Sequence, residues 1–320
     1  MKKIAILTSG GDAPGMNAAL RAAVRSAIYY GMEVYGIERG YEGLIDGDIR
    51  QMDVSSVGDI MHRGGTILGT ARSERFMTQE GQKRAVGMLE NFEIEGLVVI
   101  GGDGSLRGGL ELSKKGVRVM GIPGTIDNDL AYTDFTIGFD TAVNTVLGAI
   151  SNIRDTSSAH ERSTVIEVMG RRCGDIALYA GLTGGAETIL IPEIPVDINA
   201  LCRKVIQGRN RGKKHNLIIK AEGVNISSQE LAAVIGERTG VDTKIVVLGY
   251  IQRGGSPTAR DRMLASRMAS KAVELLKDDS LSKAIGISGD CIVEYDLEEA
   301  LHMGREFETD IMKLADILSI

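Results

Sequence analysis

The feature that most constrains this chain is a short apolar run that ends in a glycine-rich loop and reopens as a helix. Ile4 to Leu7 is followed by Thr8-Ser9-Gly10-Gly11-Asp12-Ala13-Pro14-Gly15, then by an alanine-rich stretch from about Asn17 to Tyr30 that Gly31 closes. The run reads as a strand and the stretch after it as a helix. The same order returns at Leu97-Val98-Val99-Ile100 before Gly101-Gly102-Asp103-Gly104-Ser105, and at Val117 to Ile122 before Pro123-Gly124-Thr125-Ile126-Asp127-Asn128-Asp129. Further apolar runs at Thr164 to Val168, Thr188 to Ile191, Leu217 to Ile219 and Lys244 to Leu248 alternate with helical patterns such as Asn199 to Gln207 and Gln229 to Arg238. This alternation predicts an α/β fold with a mainly parallel sheet covered by helices on both faces. Ligands of such sheets sit outside the carboxyl ends of the strands, where the glycine loops fall.

At 320 residues the chain exceeds the usual size of one hydrophobic core, which leaves two domains or one large α/β domain. No proline- or serine-rich linker marks a boundary. Hydrophobic residues at 43% and charged residues at 25% are ordinary globular usage, so disorder is excluded. Forty-one glycines against five prolines point to sharp turns and close backbone approach to ligands. A formal net charge of -6 argues against a nucleic-acid partner, whose phosphates call for a basic face. Cys173, Cys202 and Cys291 form no CxxC pair, which suits a reducing compartment. The N-terminal apolar run is too short for a signal sequence, and no segment approaches the roughly 20 apolar residues of a membrane span. A cytoplasmic protein with no membrane partner is the expectation.

Five loops carry the candidate chemistry. Gly101-Gly102-Asp103-Gly104-Ser105 sets an acid among glycines at a strand end, ahead of a helix expected near Ser105. Its N–H groups can cradle phosphate while the carboxylate holds a phosphate-bound Mg²⁺; the same letters also suit a tight turn. Asp127 and Asp129, two apart, project to one side of an extended segment, so that one serves as a base for a hydroxyl and the other is held by donors; an Asx-type turn is the competing reading. Arginines sit in glycine-rich contexts at Gly69-Thr70-Ala71-Arg72, Gly170-Arg171-Arg172 and Arg253-Gly254-Gly255, where each reads either as a phosphate fork or as a solvated surface residue. Neither a Walker A motif nor a G-x-G-x-x-G fingerprint is present. His62, His160, His215 and His302 show no metal-ligand spacing.

Thr8 to Asn17, Gly101 to Ser105, Pro123 to Asp129, Val168 to Arg171 and Ile251 to Pro257, taken in order, closely resemble the bacterial ATP-dependent 6-phosphofructokinase family, nearly end to end. The resemblance implies a homotetramer of two-domain α/β subunits. Residues 1–138 and 251–301 would form a larger ATP-binding domain, and 139–250 with 302–320 a smaller sugar-phosphate domain. It implies MgATP as phosphoryl donor and fructose 6-phosphate as acceptor. Asp127 would be the base, Thr125 and Asp129 its neighbours, Asp103 the Mg²⁺ residue, and Arg72 with Arg171 the stabilisers of the transferring phosphoryl. Gly11, Tyr41, Arg72, Ser73, Gly102, Asp103, Gly104, Ser105 and Gly108 fall at nucleotide positions. Thr125, Ile126, Met169, Gly170, Glu222 and Arg253 fall at sugar-phosphate positions, as does Arg162, which in the family reaches in from a neighbouring subunit. Glycine at Gly104 and Gly124, where pyrophosphate-using relatives carry bulkier residues, favours ATP.

The family also implies an effector site for ADP and phosphoenolpyruvate, which Arg21, Arg25, Asp59, Arg154, Gly185, Glu187, Arg211, Lys213, Lys214 and His215 match. Arg21 and Arg25, four apart on one helix face, repel by a few tenths of a kcal/mol unless an anion or acid lies nearby. Departures stand beside these matches. Lys244 and Tyr250 replace an arginine and a histidine of the sugar-phosphate site, Val54 an effector-site arginine, and Met77 a basic residue near the nucleotide loop. Competing assignments are a pyrophosphate-dependent or other sugar-phosphate kinase of the superfamily, and a nucleotide sensor without catalysis.

Overall fold

A computed structural model describes residues 1–305, 307 and 309–319. The chain divides into two compact units. The first comprises Met1–Ile126, Leu130–Thr141 and Arg253–Arg305; the second comprises Asp127–Asp129, Ala142–Gln252 and the stretch after Arg305.

In the first unit the chain runs β1 (Lys3–Ser9), α1 (Met16–Tyr29), β2 (Glu33–Ile37), α2 (Gly40–Asp46), β3 (Ile49–Met52), α3 (Gln79–Asn91), β4 (Gly96–Gly101), α4 (Asp103–Ser113), β5 (Arg118–Thr125) and β6 (Ile137–Gly138). The long α5 (Phe139–Ala159) then carries the chain into the second unit. There follow β7 (Ser163–Val168), α6 (Asp175–Thr183), β8 (Thr188–Leu190), α7 (Ile198–Asn210), β9 (Asn216–Ala221), α8 (Ser228–Thr239) and β10 (Thr243–Val247). The chain returns to the first unit as α9 (Ala259–Lys277), β11 (Lys283–Ser288), β12 (Cys291–Asp296) and α10 (Leu297–His302), and α11 (Thr309–Leu318) closes the second unit.

The first sheet has the order β12-β11-β5-β4-β1-β2-β3, with β6 paired to β5. Its centre is parallel, and the antiparallel pairs β2–β3 and β11–β12 lie at its margins. The central strands are buried on both faces, so they read as unbroken apolar runs. On one face Ala19, Ala23 and Ala27 of α1 lie buried in the layer that α1 and α9 share, and α9 contributes Ala265, Met268 and Ala269. Tyr41, Leu44, Phe76, Leu89, Leu106, Leu110 and Leu297 fill a core cluster with Leu7, Val99 and Val119 of the sheet. Full burial of each large aliphatic side chain contributes roughly 1.5–3 kcal/mol.

The second sheet, β10-β7-β9-β8, is parallel throughout. Asp197 caps α7 by accepting from Ala200 N, and Ser227 with Glu230 forms a capping box on α8. The expected α/β architecture with two mainly parallel, helix-covered sheets is therefore the observed one. Three local readings shift. β5 continues through Pro123 to Thr125, and α4 begins at Asp103 instead of near Ser105. The marginal strands β3, β11 and β12 were not legible: β3 and β12 are short and partly exposed, which gives no clean period, and the buried run of β11 is only Ala284 to Ile287 with a glycine inside it. Among the described residues no helix is long and apolar enough to cross a membrane.

The first turns of α5 and α9 cap one another. The Asp261 carboxylate, 1% exposed, accepts from Gly138 N at 2.9 Å, from Thr141 N at 2.8 Å and from the Thr141 hydroxyl. In return Thr258 N donates to Thr141 Oγ1, and the Thr258 hydroxyl donates to Asp140 Oδ2. Burial pushes the Asp261 carboxyl up from 3.8 to about 6, against the pull of those donors. A carboxyl raised on folding binds its proton more tightly in the native state, so its contribution to stability is lost as pH rises from about 4 through about 6. Relative to the parent chain, Asp261→Asn is therefore expected to gain up to about 3 kcal/mol between pH 4 and pH 7, measured by urea unfolding. A difference that does not change with pH would contradict this.

Candidate active site

In the first unit the functional loops leave the carboxyl ends of β1, β4 and β5. Gly11 follows β1 closely enough to a side chain that a Cβ there would collide with the Arg253 guanidinium, whose Nη1 donates to Asp12 O at 3.3 Å. Arg253, expected at the sugar phosphate, thus lies over the first glycine loop. After β4, Gly102 precedes α4, and Asp103 occupies its first turn, where an acid complements the helix dipole. Arg107, one turn on, sets its Nε 3.0 and 2.9 Å from the two Asp103 oxygens and donates from Nη2 to Leu301 O. Ser105 is buried; Gly104 is exposed, and a Cβ there would enter open space.

Tyr41, expected at a nucleotide position, lies beneath the start of α4. It is 5% exposed, its ring stacks on Phe76 at 4.1 Å, and its hydroxyl donates to Ser105 O at 2.5 Å. Burial drives its phenol far above the ordinary value. It is a pillar beneath α4, and Gly108 is glycine because a Cβ would sit 2.7 Å from the Tyr41 ring. Ser73 donates to Glu42, and Arg72 beside it is exposed. The room expected at Gly124 is already taken: a Cβ there would meet Ile100 Cγ2 at 3.1 Å and Met16 Cε at 3.2 Å. That glycine is explained by packing within the sheet layer, and Gly104 alone keeps open space. Thr125 and Ile126 end the strand buried, and Thr136 donates to Thr125 O at 2.7 Å.

In the second unit Asp127 is 3% exposed. Its Oδ2 lies 3.9 Å from Nε of Arg171, whose side chain is 65% exposed. Of the two readings of Asp127 and Asp129, the extended segment is not observed and a bend is: the backbone bends at Ile126–Asp127, and Asn128 takes a left-handed φ of 53°. Asparagine tolerates that region because its short amide bonds locally; here Nδ2 donates to Asp175 Oδ2 at 2.8 Å. Asp129 is half-buried.

Arg171 itself is left-handed at φ 55°, after Gly170 at φ 132°. The backbone is held there by the Glu222 carboxylate, which accepts from Arg171 N at 2.8 Å, while Met169 N donates to Gln252 Oε1. Gly223 is required beside them, since a Cβ would collide with Arg171 O. Cys173 is a packed thiol at 3% exposure. Asp242 holds both Arg162, at 2.7 Å, and Lys244, at 3.1 Å, and Tyr250 is 83% exposed.

The effector matches fall in both units. Arg21 and Arg25 lie on α1 and Asp59 is exposed in a left-handed bend in the first. In the second, Arg154 Nη2 donates to Gly184 O and, at 3.4 Å, to Gly185 O; Lys213 meets buried Glu187 at 3.2 Å; and Ser158 Oγ lies 2.7 Å from His215 Nδ1. Arg211 and Lys214 are exposed. Sequence reasoning gave no role to Arg107, Lys220 or Gln252, the last quoted only as part of the run from Ile251 to Pro257. Lys220 carried a signal, a charge inside the run Leu217-Ile218-Ile219-Lys220-Ala221; Arg107 has none without coordinates.

Among the described residues no group of three or more His, Cys, Asp or Glu side chains forms a metal cage. Asp103 offers one carboxylate, 37% exposed. A single accessible oxygen donor fits a hard cation that arrives on phosphate and takes its other ligands from phosphate and water.

Comparison with known proteins places these features. The phosphofructokinase family model matches residues 3–276. The chain is 58% identical over 320 residues to an ATP-dependent 6-phosphofructokinase of Alkaliphilus metalliredigens (strain QYMF), covering 100% of both. It is 59% identical over 319 residues to one of Clostridium tetani (strain Massachusetts / E88), again covering 100% of both. A solved phosphofructokinase of Saccharomyces cerevisiae aligns with a TM-score of 0.90 and 36% identity over 100% of this chain, which spans 48% of the yeast chain. Matched along its length by sequence and by fold, the chain belongs to the phosphofructokinase family.

Proposed function

We propose that the chain is an ATP-dependent 6-phosphofructokinase, moving the γ-phosphoryl of MgATP to the 1-hydroxyl of fructose 6-phosphate in the cytoplasm. The observation that carries the reading is a buried Asp127 carboxylate beside an exposed Arg171 guanidinium, in a chain aligned end to end with proteins of that name. Phosphoryl transfer through a loose transition state needs alignment and charge stabilisation more than covalent chemistry. Asp127 accepts the proton of the sugar hydroxyl. At 3.9 Å Arg171 balances that carboxylate without closing a hydrogen-bonded fork, so its N–H groups remain able to meet phosphoryl oxygens. Arg72 does the same from the nucleotide side. Asp129 and Thr125 flank the base.

The first unit takes the nucleotide. Gly11, Gly102, Gly104 and Ser105 bring backbone N–H groups to the phosphates, with Arg72 and Ser73 alongside, and Tyr41 with Gly108 supports α4 from below. Asp103 holds the nucleotide's Mg²⁺, which supplies neutralisation of phosphate charge when bound. For this Asp103 has to exchange its Arg107 contact, and Arg107 is then free to face phosphate. The second unit takes the sugar phosphate through Met169, Gly170, Glu222, Lys244 and Tyr250. Arg162 serves the site of a neighbouring copy in a homotetramer. ADP and phosphoenolpyruvate act at Arg21, Arg25, Asp59, Arg154, Gly185, Glu187, Arg211, Lys213, Lys214 and His215. The open space at Gly104 supports ATP over pyrophosphate.

Asp127→Ser is expected to lower kcat by at least ~10²-fold, the lower range for a lost general base, with a modest change in the fructose 6-phosphate KM. Parent-level turnover in this variant would remove Asp127 from the mechanism. A coupled assay with ATP or pyrophosphate as donor tests the reading as a whole, and turnover with pyrophosphate alone would defeat it. Repeated with ADP and with phosphoenolpyruvate, the same fructose 6-phosphate titration is expected to shift its half-saturation; superimposable curves would remove the effector site.

A further inference from the structure

Lys220 is a charged residue in a buried strand, and the proposed reaction gives it no task. It is 2% exposed, and its Nζ lies 3.0 Å from Glu167 Oε2 and 3.4 Å from Ala221 O. The same Glu167 oxygen accepts from the hydroxyl of Ser228, the first residue of α8. Glu167 and Lys220 are register partners on the adjacent parallel strands β7 and β9, so their side chains leave the same face of the sheet. An ammonium at this depth is tolerated only with a counter-charge and further acceptors, and both are present.

The pair stands one residue before the strands end. The next register pair is Val168 with Ala221, and Glu222 N donates to Val168 O at 2.8 Å. Beyond it the two strands release Met169-Gly170-Arg171 and Glu222-Gly223, joined by the bond from Arg171 N to Glu222 Oε1. Glu167 O also accepts from Leu248 N at 3.1 Å, fixing the exit of β10 toward Tyr250 and Gln252, whose amide oxygen receives Met169 N. Glu167, Lys220, Glu222, Ser227 and Ser228 line one open groove of ≈ 430 Å³. The loops that carry Met169-Gly170-Arg171, Glu222 and Tyr250 therefore emerge within a few residues of one buried ion pair, while Lys244 lies near the start of β10, away from it.

We propose that Lys220 is a positioning residue for the sugar-phosphate half of the site, acting through Glu167 to lock the β7 and β9 exits so that Arg171 and Glu222 are presented in register. The proposal rests on the functional reading given above. Its first step is therefore the parent enzyme: absence of fructose 6-phosphate phosphorylation there would sink that reading and not this one. In Lys220→Met the fructose 6-phosphate KM is expected to rise on the order of tenfold, with the ATP KM within about twofold and kcat within about threefold. A purely structural role would lower the thermal midpoint and leave that KM in place. Glu167→Gln, which keeps its contact with Ser228, is expected to raise the same KM and serves if Lys220→Met does not fold. The double variant Lys220→Met/Glu167→Gln, with no uncompensated charge, is expected to recover most of the loss. An unchanged fructose 6-phosphate KM in both single variants would overturn the proposal. So would a double variant as impaired as Lys220→Met, which would mean that the ammonium touches substrate itself.

Discussion

Burying the Asp127 carboxylate to 3% exposure obliges the fold to bring an opposite charge to it, and Arg171 is the residue brought. The requirement propagates outward. Arg171 stands at φ 55° after a glycine at φ 132°, a backbone that would relax without tethers. Glu222 supplies one tether by accepting from Arg171 N, and Gly223 leaves room for the Arg171 carbonyl. On the Asp127 side, Asn128 adopts a second left-handed residue and is tied to Asp175 through its amide. Strain at both ends of one charge contact is held by Glu222, the residue after β9, and by Asp175 of α6, so strand end, helix start and site are tied together.

Parallel strands make that construction possible. A strand buried on both faces presents its polar groups mostly at or past its end, and β1, β4, β7 and β9 all run into glycine-bearing loops, whereas β5 ends in the glycine-free stretch that carries Asp127. This is why so much of the fold was legible: apolar runs bounded by glycine are strong punctuation, and the runs at Ile4, Leu97, Val117, Thr164 and Leu217 all fall within observed strands or at their edges. Function within the loops was less legible, because a local pattern does not fix a dihedral. The spacing of Asp127 and Asp129 allowed an extended segment or an Asx-type turn, and the left-handed Asn128 bends the chain as the turn reading has it; the letters alone left that choice open. Gly124 read as clearance for a ligand, yet Ile100 and Met16 occupy the space. Tyr41 matched a nucleotide position, and that match gave no sign that its hydroxyl braces α4 from the core.

The residues that sequence reasoning passed over are those whose meaning lies in long-range partners. Asp261 looks like any first-turn acid until Gly138 and Thr141, more than a hundred residues away, are seen donating to it. Lys220 looks like an interruption of an apolar strand until Glu167 is found beside it. Both are buried ionisable groups balanced by designed partners, and both sit one step behind a loop or crossover instead of in it. Support for the site is thus concentrated at strand exits and helix starts, where a small displacement is carried directly into the groups that meet ligands.

The proposed transfer requires a metal-holding acid, a proton-accepting acid and a guanidinium to meet one migrating phosphoryl group. The most direct measurement is a crystal structure of the chain with fructose 6-phosphate and a non-hydrolysable MgATP analogue. The account predicts the sugar 1-hydroxyl at hydrogen-bond distance from Asp127, the γ-phosphoryl reached by Arg171, and Asp103 on the magnesium or one of its waters. Ligands bound with Asp127, Arg171 and Asp103 far apart in every assembly of the crystal would contradict it.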